Sequence, residues 1–225
     1  MVRIARHGSL RTEVYRRLRD DILQGRYTRG TTLTESQISL DMGVSRTPVR
    51  EAISQLEQDG LVYSTPNKSI IVQGFDENDI MDLYDVRRQM ETIAAARAAE
   101  FMNAEQRHAL KSAFEQEVRD TLNNDNVEEL QDLDNVFHEL IFQGSGSKIL
   151  RKILTSINTY TRYARTISLA TQGRSRKVLD EHAKILDAIT RKDSQAASQA
   201  MRAHIDNAAA NFMSANSKGG KIHAR

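Results

Sequence analysis

A chain of 225 residues with a net charge of +2 is long enough to bury the cores of two modest domains. It has no cysteine, which excludes a disulfide framework and any thiolate metal site and fits a reducing cytoplasm. No apolar run approaches the roughly 20 residues of a membrane span, and two prolines among abundant Ala, Leu, Arg, Glu and Gln point to a mainly α protein.

In chain order, residues 1–8 read as an N-terminal arm. Ser9 caps a first helix whose Leu10, Val14, Leu18 and Ile22 recur every four residues up to Gly25. Thr34 with Gln37 gives a capping-box pattern opening a short second helix that stops at Gly43. Ser45 caps a third, which runs to Gly60. LVYSTPNKSIIV, Leu61 to Val72, reads as two short strands about a turn at Thr65 to Lys68. Three short helices and a hairpin over residues 9–75 describe a winged helix-turn-helix.

In the third helix Val49, Ala52, Ile53 and Leu56 share an inward face. Arg46 and Arg50, one turn apart, therefore point outward from the helix start. Pro48 is tolerated in a first turn, where the missing amide has no helical partner. Ser45 and Thr47 set hydroxyls beside the unpaired amides, and the positive end of the helix dipole favours phosphate there. Two outward arginines on a helix are usually solvated charge; the winged context makes this one a recognition helix for a DNA major groove.

Beyond Phe75 every strong segment has helical period, over Glu77–Phe101, Ala104–Asn123, Val127–Gln143, Lys148–Thr171, Arg176–Arg191 and Ser194–Ala215. Asn103 with Gln106, and Asn126 with Glu129, resemble N-terminal caps. Residues 76–140 carry a net charge of −11 and residues 141–225 one of +10, so the two halves are expected to fold onto each other as an antiparallel bundle of six to seven helices over 76–215. Residues 216–225 read as a basic, flexible tail.

The histidines sort by helical stripe. Asp134 and His138 sit on or beside the face of Leu130, Leu133, Phe137 and Ile141; His182 lies among Val178, Leu179, Ile185, Leu186 and Ile189; His204 lies with Ala197, Met201, Ala208 and Phe212. His108 faces away from Leu110, Phe114 and Val118, and His7 and His223 fall in the termini. A lone inward histidine is most often a hydrogen-bonded core residue. Three of them with a carboxylate, each costly to bury unpaired, are satisfied together by one divalent cation, although stripes alone do not show that the helices converge. Arg87, on the stripe of Ile80, Leu83 and Met90, either pairs with a carboxylate such as Glu91 or grips a ligand carboxylate in a bidentate fork. Arg162 and Arg165 are further candidates for that grip.

The stretch GVSRTPVREAISQLEQDGLV, preceded by LTESQIS, resembles the signature of the GntR family of bacterial transcription regulators over roughly residues 10 to 73. The resemblance implies base or phosphate contacts from Arg46 and Arg50, phosphate contacts from Ser45, Thr47 and Lys68, and a wing tip in the minor groove. The wing tip departs from the family's usual glycine, reading Lys68, Ser69 here. DLYDVRRQMETIAAARAA, then Asp134 with His138, then His182 and His204, are similar to the FCD ligand-binding domain of the FadR subfamily. That likeness implies that Asp134, His138, His182 and His204 hold a divalent metal, with zinc the first choice and nickel, manganese or iron the alternatives. A small organic acid would bind over it.

The expected protein is a cytoplasmic, homodimeric transcriptional regulator on a near-palindromic double-stranded DNA operator, with affinity set by the bound acid and no membrane association. It is not expected to be an enzyme. The alternatives are a sensor for which the cation itself is the signal and, more remotely, a helical metalloenzyme.

Overall fold

In a computed structural model the described residues are 9–23, 25–123, 127–169, 171 and 173–218, and within these the side chains of all but residues 128, 159, 162, 163, 166, 167 and 216–218. The chain divides into two compact units between Asp76 and Glu77.

The first unit runs α1 (Leu10–Leu23), β1 (Thr32–Thr34), α2 (Glu35–Met42), α3 (Arg46–Gln58), β2 (Val62–Ser64) and β3 (Ser69–Val72). Ser9 Oγ accepts from the Thr12 amide at the start of α1, as expected. The second helix is capped on one side only: Thr34 accepts from the Gln37 amide, but the Gln37 side chain donates to Asp41 and does not return to Thr34. Gly43 closes α2 in the left-handed conformation at φ 64, where its amide reaches the Leu40 carbonyl, a geometry that favours glycine. Ser45 holds the extended backbone of an N-cap, yet its hydroxyl makes no capping bond, which corrects the expected side-chain cap.

The expected hairpin forms around Thr65 to Lys68, with the Thr65 amide donating to the Ser69 carbonyl at 2.8 Å. Lys68 adopts φ 61, a left-handed conformation uncommon outside glycine. The hairpin belongs to a three-stranded antiparallel sheet ordered β1-β3-β2; β1 is an additional strand, pairing Leu33 with Ile70. Of the repeats read in the sequence, Val14, Leu18 and Ile22 of α1 and Val49, Ile53 and Leu56 of α3 are buried and Ile38 of α2 joins them, whereas Leu10, at the first turn of α1, is exposed. Each such buried side chain contributes about 1.5–3 kcal/mol on full burial.

The second unit contains α4 (Glu77–Phe101), α5 (Ala104–Asn123), α6 (Val127–Gly144), α7 (Lys148–Leu169), α8 (Arg174–Thr190) and α9 (Ser194–Lys218). Helix α4 is central, packing on α9, α6, α7 and α8. Its fully buried Ala94, Ala95, Ala98 and Ala99 have no bulk to hold neighbouring backbones apart. Asn103 and Gln106 exchange backbone and side-chain bonds in a complete capping box. Asn126 lies outside the described residues. Ion pairs of Arg165 with Asp134 and of Arg151 with Glu139 join the acidic and basic halves as expected. Helix α9 continues to Lys218, so residues 216–218 are helix rather than the start of a tail. Among the described residues no helix is long and apolar enough to cross a membrane.

Candidate functional site

Two sets of residues stand out, one in each unit. At the start of α3, Ser45, Arg46, Thr47 and Arg50 are exposed while Pro48 and Val49 are buried, so the helix turns its hydroxyls and guanidiniums outward. Arg50 is held by Glu35 at the start of α2, Nε to Oε2 at 2.8 Å. Lys68 is exposed at the hairpin tip.

In the second unit Asp134 and His138 from α6, His182 from α8 and His204 from α9 meet in the interior. All four are buried, and one ligand atom from each lies within 4.8 Å of the others. His138 Nε2 faces His204 Nε2 at 3.2 Å, and lies 4.0 Å from Asp134 Oδ2. His182 Nε2 is 3.6 Å from Asp134 Oδ1. The His182 ring is stacked on Phe137, centroids 4.1 Å apart.

Each histidine is oriented from behind by a glutamate. His138 Nδ1 meets Glu91 Oε2 of α4 at 2.7 Å, His182 Nδ1 meets Glu117 Oε2 of α5 at 2.8 Å, and His204 Nδ1 meets Glu181 Oε2 of α8 at 2.8 Å. A carboxylate only accepts, so each Nδ1 carries a proton, and in the neutral imidazole this leaves Nε2 as the acceptor facing the common centre. Arginines in turn hold the carboxylates: Arg87 on Glu91 at 2.6 Å, Arg174 on Glu181 at 2.6 Å, and Arg165 on Asp134 at 2.5 Å.

Burial works against charge on every group here, and the neighbours decide the outcome. Burial raises Glu91 and Asp134, but the guanidiniums of Arg87 and Arg165 with the adjacent imidazoles outweigh it and hold both carboxyls well below the usual range. Glu181 is likewise brought down to about 2 against its burial by His204 and Arg174. Burial lowers His138, and it takes His204 down to about 3, helped by the neighbouring His182 and His138. For His182 burial is outweighed by Glu117 and the pKa rises.

With both rings neutral and protonated on Nδ1, the Nε2 lone pairs of His138 and His204 facing each other at 3.2 Å repel unless something positive lies between them. Among the described residues Asp134 Oδ2 and His182 Nε2 are buried with no hydrogen-bond partner, Arg165 lying off the hydrogen-bond direction to that oxygen. Buried atoms of this kind are costly alone. Nitrogens each about 2.0–2.1 Å from one zinc ion stand about 3 Å apart, close to the spacing of His138 and His204. The donor set, three imidazoles and a carboxylate backed by carboxylate-histidine pairs, is the chemistry of a divalent-cation site.

Of the three arginines expected at a ligand, Arg87 is 2 % exposed and engaged with Glu91, with its guanidinium carbon 5.5 Å from the centre of the Tyr84 ring. Arg165 donates to Asn158 and Asn135 besides pairing with Asp134. The side chain of Arg162 lies outside the described residues. Reading the sequence missed Glu117, Glu181 and Arg174. The signal for Glu117 was its place on the stripe Leu110, Phe114, Glu117, Thr121, where Glu117 is buried and the expected Val118 only half-buried.

Residues 82–207 match the FCD domain, and residues 10–72 match the bacterial regulatory proteins of the gntR family. The chain is similar to the uncharacterized HTH-type transcriptional regulator YdhC of Bacillus subtilis, 26% identical over 194 residues that cover 86% of this chain and 87% of the relative. It is also similar to the HTH-type transcriptional repressor RspR of Escherichia coli, 26% identical over 193 residues, 86% of this chain and 84% of that protein. Among solved structures, E. coli McbR/YncC shares the fold, with a TM-score of 0.76 at 18% identity over 92% of this chain and 98% of that one. With its helix-turn-helix segment in the first unit and the FCD domain in the second, the chain belongs to the GntR family of bacterial transcriptional regulators.

Proposed function

We propose that this regulator binds a near-palindromic DNA operator as a homodimer, and that a small organic acid bound at a divalent metal in the FCD domain sets its operator affinity. Arg46, Arg50, Ser45 and Thr47 at the start of α3 serve as base and phosphate contacts, with Lys68 of the wing adding charge. Dimer symmetry places one α3 on each half-site. Exposed apolar side chains on α4 (Val86, Ile93, Phe101) and on the adjoining α7 (Ile149, Ile153) support a second copy as the partner.

The observation that carries the sensing half is the convergence of three imidazoles and one carboxylate in a buried centre. Asp134, His138, His182 and His204 would hold the ion; once bound it supplies a Lewis-acid position for a carboxylate oxygen. Glu91, Glu117 and Glu181 hold the rings in the receiving tautomer, and Arg87 and Arg165 keep the surrounding charge balanced. Acid and operator occupy distinct sites, so their coupling is reciprocal: whatever factor the acid imposes on DNA affinity, DNA imposes on the acid.

The test is a thermal-shift screen of small organic acids on zinc-loaded and chelator-stripped protein, followed by operator binding with each stabilising acid. A ligand of the folded state raises the melting temperature, and here does so only with zinc present. Protein that takes up no zinc at stoichiometry refutes the sensing half, and operator release by zinc alone assigns the signal to the cation instead.

A further inference from the structure

We propose that Arg174 is a positioning residue for His204, acting through Glu181. Arg174 opens α8 and is 3% exposed. Its Nη1 and Nη2 donate to Glu181 Oε1 and Oε2 at 2.6 and 2.8 Å, a bidentate fork that fixes the carboxylate's plane as well as its place. Oε2 then takes His204 Nδ1 at 2.8 Å and Oε1 takes Asn207 Nδ2 at 2.9 Å. With its proton committed to Nδ1, His204 is left with Nε2 bare toward His138.

Glu181 needs this support more than the other two glutamates do. Its side chain is 11% exposed, against 3% for Glu91 and 4% for Glu117. Without the fork it is the one carboxylate of the three with a route to water, and His204 would lose the acceptor that selects its tautomer. The base of the fork is itself anchored. The Arg174 amide donates to the Thr171 carbonyl at 3.0 Å, and Asn211 of α9 donates to Ser168 O, Ser168 Oγ and Thr171 Oγ1 at 2.9, 3.0 and 3.3 Å. Asn211 lies seven residues after His204, on the same stripe of α9. One helix face therefore carries both the imidazole and the tie that fixes where Arg174 starts.

This assignment rests on the metal reading only in naming Nε2 of His204 as a ligand atom, and the experiment separates the two. The tautomer of His204 is read by long-range ¹H–¹⁵N NMR of the imidazoles in metal-free protein, for the wild type, Arg174→Gln and Arg174→Lys. Zinc affinity of all three is measured by chelator competition, with thermal melts as the folding control. The wild type is expected to hold the Nδ1–H form. Both variants are expected to mix tautomers and to bind zinc about ten-fold or more weakly, in the range typical of partners that orient metal ligands. Lysine keeps the charge but not the fork, so its failure to rescue assigns the effect to geometry; should the glutamine variant not fold, the lysine variant carries the test. An unchanged tautomer with unchanged or tighter zinc binding in the folded variants overturns the proposal. A wild type that takes no zinc while its variants still shift tautomer refutes the metal reading and leaves Arg174 in its role.

Discussion

Glu35 and Arg50 are joined by a 2.8 Å ion pair between the start of α2 and the outward face of α3. An exposed pair of this kind is worth about 0–1 kcal/mol, weak enough for DNA to compete with it. Arg46→Ala and Arg50→Ala are each expected to lose about 1–3 kcal/mol of preference for operator over random DNA if they read bases. Glu35→Gln removes an anion beside the phosphates and frees Arg50, so affinity for both DNAs is expected to rise. Fluorescence anisotropy with operator and scrambled duplexes measures all three; an operator-to-random ratio untouched by Arg46→Ala assigns that residue to the backbone.

At the hairpin tip stability and binding pull in opposite directions. Lys68 holds φ 61, where a side chain costs about 1–2 kcal/mol that glycine does not incur. Lys68→Gly is therefore expected to raise the unfolding free energy by about 1 kcal/mol. The same change deletes a cation from the wing, so the slope of log affinity against log salt should fall by about one if Lys68 contacts a phosphate. Urea unfolding and a salt titration of operator binding check the two halves separately. A slope that stays the same removes Lys68 from the DNA contacts.

The helices of both units were legible because their apolar repeats and caps are local signals: Val14 to Ile22, Val49 to Leu56, and the Asn103–Gln106 box each lie within a few turns of one helix. The strand Thr32–Thr34 was not, since three residues carry no usable alternation and Thr34 already reads as a helix cap. The inward direction of Asp134, His138, His182 and His204 could be read from their stripes. Their meeting could not, because a stripe gives the face of a helix and not its neighbour. The glutamates behind the rings were hidden for the same reason, although Glu91 and Glu117 stand on otherwise apolar stripes, where a carboxylate must have a partner. Arg87 is the instructive case: its sequence admitted an ion pair or a ligand grip, and the structure supplies the ion pair with Glu91.

In the first unit the Tyr15 hydroxyl donates to Asp59 Oδ2 at 2.5 Å, tying α1 to the end of α3. Burial raises the phenol, and Asp59 raises it further, to about 12 from an ordinary 10.0. A folded pKa above the unfolded one gives stability that is complete below pH 10.0 and is lost as pH rises toward 12. Tyr15→Phe is expected to cost about 1.5–3 kcal/mol at neutral pH, the range for a hydrogen bond to a charged group. It should also flatten this alkaline loss. Urea unfolding from pH 8 to 11.5 on both proteins compares the slopes, and parallel slopes would free Tyr15 of the effect.

Glu91 serves two partners at once, Arg87 through Oε1 at 2.6 Å and His138 through Oε2 at 2.7 Å. Both pairs are buried, so deleting the carboxylate leaves a guanidinium and an imidazole N–H without an acceptor. Glu91→Ala is expected to destabilise the FCD domain by about 3–5 kcal/mol, the cost of orphaning one partner of a buried ion pair. Adding Arg87→Met to it removes the stranded charge and should recover most of that loss. What remains is the cost of the unpaired His138 Nδ1, about 1–3 kcal/mol. The difference between the single and double variants in urea unfolding therefore separates the two bonds. A double variant no more stable than Glu91→Ala would mean that Arg87 finds another acceptor, and that its charge does not depend on Glu91.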